Sequence, residues 1–212
     1  MHVLLTHEDG HSAPGLAALR DLLIATGMVV LTVVPRSGTG WVRQPGVDSR
    51  NPIYVIDGTA ADAVRQAVHC GLAADARLVV SGIHSRPSGG PEFEGSSAAA
   101  QAALLGLVGL SISQQGSDLG WAADLAAELA ALMVSRPAPP CTAIHLEVPA
   151  HRRSRMPHLR AVQLDPSGAL ESDELALWTQ ALLRTLQPRL SGSAMACTCC
   201  SGPVLPFIHS QP

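Results

Sequence analysis

Met1-His2-Val3-Leu4-Leu5-Thr6-His7-Glu8-Asp9-Gly10-His11-Ser12-Ala13-Pro14-Gly15 is the stretch from which the rest of the chain is read. An apolar run of strand length, residues 3–5, stops at polar residues carrying two adjacent carboxylates. Pro14 then starts a helical pattern that continues to Ala25. This is a strand, a loop and a helix. In an open α/β sheet, ligands bind at the loop leaving the carboxyl end of a strand, because the crevice there is uncovered. Glu8 and Asp9 fall in that loop. Side by side, their charges repel unless solvent, separation or a cation relieves the clash, and hard divalent cations take carboxylate oxygens. A metal site is one reading of the pair. A solvated turn with an acidic helix entrance is the other.

Residues 28–34 are rich in Val and Leu and have the length of a strand buried on both faces, ending at Pro35. Residues 36–40 form a small polar loop containing Ser37, and residues 41–51 continue as irregular structure. Residues 53–56 form a short strand, and Asp57-Gly58-Thr59 turns into an amphipathic helix over 60–72, with Thr59 or Asp57 as its cap. Residues 77–80 are the next strand, and Ser81-Gly82-Ile83-His84 leaves its end. Residues 85–95, crowded with Gly, Pro and Ser, are long enough for a functional loop. An Ala-rich helix over 96–107, a strand at 109–113, a long helix over 118–134 and a strand at 141–148 follow. Beyond Pro149 come a basic loop, a strand at 159–164 and a final helix over 172–186. Strands alternate with helices throughout, which predicts one doubly wound, mostly parallel α/β sheet with helices on both faces. Residues 1–190 are expected to form that single domain and residues 191–212 a flexible tail.

Composition narrows the function classes. The formal net charge of -3 and the absence of lysine leave no basic footprint for duplex nucleic acid. No apolar run approaches the roughly 20 residues of a membrane span, and no secretory leader is recognisable, so a soluble cytoplasmic protein is expected. Cys70 and Cys141 are isolated, while Cys197, Cys199 and Cys200 crowd into the tail, which suggests no disulfide framework.

The strand-end loops supply Glu8 and Asp9, then Ser37, then His84, on one edge of the predicted sheet. Two carboxylates, a hydroxyl and a further donor, completed by water, suit a divalent ion. The helix beginning at Gly95-Ser96-Ser97 faces the same crevice, with backbone amides and hydroxyls for a phosphate. A cation beside an anion hole points to phosphoryl chemistry, in which a metal-activated water attacks phosphorus.

The residues also carry a resemblance. Leu4-Leu5-Thr6-His7-Glu8-Asp9-Gly10 followed by Ala13-Pro14-Gly15 resembles the opening of the SurE survival-protein family of metal-dependent 5'/3'-nucleotidases, LLSNDDG then APG. Later signatures come in the same order. Pro35-Arg36-Ser37-Gly38 resembles a shortened Ser-Gly loop, and Gly58-Thr59-Ala60-Ala61-Asp62 resembles GTPxD. Val79-Val80-Ser81-Gly82-Ile83-His84 resembles VVSGIN, Gly95-Ser96-Ser97-Ala98-Ala99 resembles SGTVAAA, and His145-Leu146-Glu147-Val148-Pro149 resembles NINVP. Several weak motifs in one order are far more specific than any one of them.

The resemblance implies that Glu8, Asp9, Ser37 and His84 hold a divalent cation (Mg, Mn or Zn), with Asp9 and Glu8 catalytic. Gly95, Ser96 and Ser97 would stand beside the substrate phosphate. It implies hydrolysis of nucleoside monophosphates or small phosphate esters in the cytoplasm, with a homodimer as the assembly to test. The chain is short between Gly40 and Ile53 and after Pro149, where the family carries its subunit-exchanging arm. Glu8 replaces an Asp, His7 and His84 replace Asn, and Glu94 puts a negative charge near the phosphate. The imidazoles favour zinc, manganese or iron over magnesium. Two alternatives remain open: a non-catalytic relative that keeps the fold as a binding module, and a zinc deacetylase with His7 and Asp9 as ligands.

Overall fold

The computed structural model of the chain describes residues 2–36, 42–43, 49–85, 97–136, 138–139, 141–150, 157–164, 177–178 and 181–182. Strand β1 (His2–Thr6) leads into helix α1 (Pro14–Ala25), followed by β2 (Val29–Arg36), β3 (Val42–Arg43), β4 (Ile53–Asp57) and α2 (Ala60–His69). Then come β5 (Ala76–His84), α3 (Ser97–Leu104), β6 (Val108–Gln114), α4 (Leu119–Ser135), β7 (Thr142–Val148) and β8 (His158–Gln163). All the strands join one sheet in the order β3-β4-β2-β1-β5-β6-β7-β8. From β4 to β7 the neighbours are parallel, and β3 and β8 close the two edges antiparallel.

Strand β1 is first in the chain and central in the sheet. From it the chain winds outward through β2 to β4, returns to β1's other side as β5, and winds outward again through β6 and β7. The reversal lies between β1 and β5, where the first connections lead away in opposite directions and leave a crevice at the carboxyl ends.

Strand alternation sorts side chains onto two faces. On one, Val3, Leu5, Val30, Leu78, Val80, Leu110, Ile112 and Ile144 pack against Leu16, Leu19 and Leu23 of α1 and the alanine-rich face of α4. On the other, Leu4, Leu31, Val33 and Val79 meet Ala60, Ala63, Val64 and Ala67 of α2 and Ala98 and Ala102 of α3. Small helix residues let the helices approach closely: a Cβ on Gly109 of β6 would lie 2.2 Å from the Ala99 carbonyl of α3. The expected doubly wound α/β sheet is the observed one.

Helix starts follow local chemistry. Thr59 caps α2 in a reciprocal box with Asp62, and Asp118 accepts from the Trp121 amide at the head of α4. Three expectations are corrected. Strand β2 does not end at Pro35 but runs to Arg36. Beyond Thr32 it pairs only with β4, so no ladder bond to β1 is lost at the proline. Val42–Arg43, expected to be irregular, pairs antiparallel with β4. Ser81-Gly82-Ile83-His84 does not leave the sheet but continues β5. From Ser81 to His84 the strand takes three steps against two on β6, with Gly82 at φ +127° taking up the irregularity.

Among the described residues, no helix is long and apolar enough to cross a membrane. Of the expected final helix, residues 177–178 and 181–182 are helical, and Trp178 donates from its indole to the Arg136 carbonyl at 3.0 Å. The tail at 191–212 lies outside the described residues.

Candidate functional site

The loop after β1 is a tight turn in which the Gly10 amide donates to the His7 carbonyl at 3.2 Å. Gly10 has φ +79°, and a Cβ there would sit 3.0 Å from the Pro35 carbonyl, so the end of β2 presses on this turn. On the other side, α1 begins against the end of β5, where a Cβ on Gly15 would sit 2.1 Å from the Ile83 carbonyl. The ends of β1, β2 and β5 and the first turn of α1 thus meet at one place.

His7 sits at the junction, 2% exposed. Its Nε2 lies 3.0 Å from the Ile83 carbonyl oxygen, and its Nδ1 lies 3.1 Å from the Asp9 amide nitrogen. A carbonyl only accepts and an amide N–H only donates, so Nε2 carries the proton and Nδ1 is bare. Burial lowers the His7 pKa, while the bond to Ile83 and the nearby Asp9 charge act to raise it. The imidazole stays neutral. Its ring meets that of His84 with centroids 4.7 Å apart at 41°, and the Asp9 carboxylate lies 3.9 Å from Nδ1. His84 in turn has its Nε2 3.2 Å from the Ser81 hydroxyl.

Of the expected site residues, Asp9 and His84 are therefore brought against the same buried ring, and Glu8 lies exposed in the same turn. Ser37, Gly95 and Ser96, like Glu94, lie outside the described residues. Ser97 is the first residue of α3, and α3 sits closely on β6 where Ala99 meets Gly109.

The donor chemistry suits a divalent cation: the Asp9 carboxylate is 69% exposed, and an imidazole on the adjacent strand end adds a nitrogen donor of borderline softness. His7 is not offered to such an ion, because both ring nitrogens are engaged. That also disfavours the deacetylase reading, which needs His7 as a ligand. Among the described residues, no three His, Cys, Asp or Glu side chains gather closely enough to hold an ion.

One cluster was not anticipated from the sequence. On the face covered by α2 and α3, Thr6, Ser81, Ser111 and His145 form a row in register across β1, β5, β6 and β7, all buried. His145 bridges two hydroxyls, with Nδ1 3.1 Å from Ser111 Oγ and Nε2 3.0 Å from Ser113 Oγ. Burial lowers its pKa, opposed by the Glu147 charge. The available signal was polar residues at alternate positions of a buried strand, Ser111 and Ser113 alternating with Leu110 and Ile112.

Comparison with known proteins places the chain in a family. Residues 3–167 match the family model described as Survival protein SurE. The chain is 34% identical over 184 residues to the 5'-nucleotidase SurE of Syntrophotalea carbinolica, covering 79% of this chain and 71% of that protein. It is 32% identical over 164 residues to the 5'-nucleotidase SurE of Geobacter metallireducens, covering 70% and 65% respectively. It thus spans roughly two thirds of the length of such relatives. Among solved structures, the SurE protein from Aquifex aeolicus matches with a TM-score of 0.59 at 23% identity, over 71% of this chain and 67% of that one, a likeness of fold. The family match over most of the chain, in a sheet with this winding order, gives the conclusion that the chain belongs to the Survival protein SurE family.

Proposed function

We propose that the chain is a phosphoric monoester hydrolase acting on nucleoside monophosphates, 5' and 3', or on small phosphate esters, and that it depends on a divalent metal ion. The observation that carries the proposal is the meeting of Asp9 and His84 on one buried ring at the crevice where the sheet reverses direction. The names of the relatives, 5'-nucleotidase SurE, support the same reaction class.

In this reading Glu8, Asp9, Ser37 and His84 would hold the ion, whose chemistry is Lewis-acid polarisation of a phosphoryl oxygen and a lowered pKa for water. The protein's own part is orientation and charge. Asp9 and Glu8 orient the attacking water and take up its proton, and the amides at the start of α3, with Gly95, Ser96 and Ser97, receive the phosphate. The imidazole at His84 shifts ion preference toward manganese or zinc over magnesium. A cytoplasmic location and a homodimer complete the proposal.

The test is phosphate release from nucleoside 5'- and 3'-monophosphates and an aryl phosphate. The protein is stripped of metal and then given magnesium, manganese or zinc in turn. Turnover restored by one ion and lost in Asp9→Ala is the expected result; no release with any ion overturns it. The lack of a three-donor group among the described residues favours a second reading, a non-catalytic relative that keeps the crevice as a binding module. That reading predicts nucleotide binding with no turnover.

A further inference from the structure

We infer that His7 is a positioning residue: its neutral ring ties the Asp9 turn to the end of β5 and thereby sets the spacing between the Asp9 carboxylate and the His84 imidazole. The inference rests on the ion site proposed above.

His7 touches three things, and they belong to two different segments. Nδ1 receives the Asp9 amide at 3.1 Å, which fixes the backbone from which the Asp9 carboxylate springs. Nε2–H donates to the Ile83 carbonyl at 3.0 Å, and the ring face lies against His84, the next residue in β5. The Ile83 carbonyl also lies close against Gly15 of α1, where a Cβ would meet it at 2.1 Å. The ring is 2% exposed and has nowhere to turn. A buried imidazole whose two nitrogens are committed to backbone groups of opposite polarity has one tautomer and one orientation. It works as a spacer: the Asp9 turn is hung from a fixed point on the neighbouring strand, and the His84 ring packs on the spacer's face. A carboxamide at position 7 can make one of these backbone bonds but cannot fill the imidazole's place against His84.

Two substitutions separate the bonds. In His7→Asn, the side-chain oxygen falls near the Nδ1 position and keeps an acceptor for the Asp9 amide while losing the tie to Ile83. In His7→Gln, the amide nitrogen falls near the Nε2 position and keeps the donor to Ile83 while releasing Asp9. The full chain is titrated with Mn²⁺ by calorimetry, amide hydrogen exchange is followed at Asp9, and kcat and KM are measured on a nucleoside monophosphate.

The expected result is a Mn²⁺ affinity weakened by about 10–100-fold in His7→Gln, as for residues that orient metal ligands, with faster exchange of the Asp9 amide. His7→Asn is expected to keep the slow exchange and to weaken Mn²⁺ less. In both, kcat falls while KM holds, because the phosphate is received elsewhere. Unchanged Mn²⁺ affinity in both folded variants overturns the inference and leaves the function standing. A native chain that binds no Mn²⁺ overturns the ion reading and the inference together. Should a variant fail to fold, ¹⁵N shifts of the native ring decide: a protonated Nε2 with a bare Nδ1 supports the tie, and the opposite tautomer overturns it.

Discussion

His7 and His145 are both buried imidazoles with both nitrogens engaged and pKa values lowered by burial, yet they are held in opposite ways. His7 is gripped by backbone groups from two separate segments, one that can only donate and one that can only accept. His145 is held by two serine hydroxyls of one neighbouring strand, and a hydroxyl rotates to donate or accept. The first arrangement admits a single proton placement, while the second admits either tautomer. A histidine meant to fix geometry is best held by backbone; one held by hydroxyls satisfies a buried row without dictating direction.

The largest effect is expected at the His7 side from Gly15→Ala. The new methyl carbon would lie 2.1 Å from the Ile83 carbonyl, so backbone must move, at a cost of about 3 kcal/mol in urea unfolding. Phosphate release is expected to fall with it, because Ile83 is the point from which His7 hangs.

On the other side, His145→Leu leaves the Ser111 and Ser113 hydroxyls buried without their partner and is expected to cost about 2–3 kcal/mol. Adding Ser111→Ala and Ser113→Ala should recover all but about 1 kcal/mol, since removing both partners of a buried hydrogen bond is nearly neutral. No such rescue exists for His7, whose partners are backbone. If the triple variant is no more stable than His145→Leu, hydroxyl satisfaction is not what the row provides.

The pH dependence is smaller. Both imidazoles are held below the ordinary value of about 6.5, so the unfolded chain takes up protons first as pH falls. Stability is therefore full above about pH 6.5 and declines below it, by at most about 1.4 kcal/mol per pH unit for each histidine until its folded-state pKa is reached. His145→Leu removes one share of the slope. An unfolding midpoint that stays level between pH 7 and 5 contradicts the neutral assignment of both rings.

The smallest effect is expected at Thr6, in register with Ser81 and adjacent to His7. Its hydroxyl is fully buried and has no hydrogen-bond partner among the described residues. Thr6→Val should be neutral or stabilising by up to about 1 kcal/mol in thermal unfolding, which marks the end of the polar row that matters least.

The fold was legible because its signals are local. Apolar runs of strand length alternate with helical patterns, and the Thr59 cap and the Pro14 start can be read by eye. The course of the chain through Pro35 and past Gly82 was not legible. Whether a proline or glycine ends a strand depends on which neighbour needs its amide, and that is settled by pairing at a distance. The site was legible in part. That Asp9 and His84 come near each other followed from strand-end logic, but the commitment of both His7 nitrogens did not, because Ile83 lies 76 residues away. The roles of Ser37, Gly95 and Ser96 rest on position in the sequence alone. The His145 bridge was missed because polar residues inside a buried strand look like interruptions until the neighbouring strand supplies their partners.

The central place of β1 has a consequence for how the molecule is made. Its two neighbours are β2 and β5, so the middle of the sheet cannot close until residue 84 is available. During synthesis β1 waits with one edge unpaired until β5 follows, the state in which nascent chains associate wrongly. Assembly from such distant pairings is slow compared with a helical bundle of equal size. The residues of β1 that define the crevice are thus made before the strand that locks them.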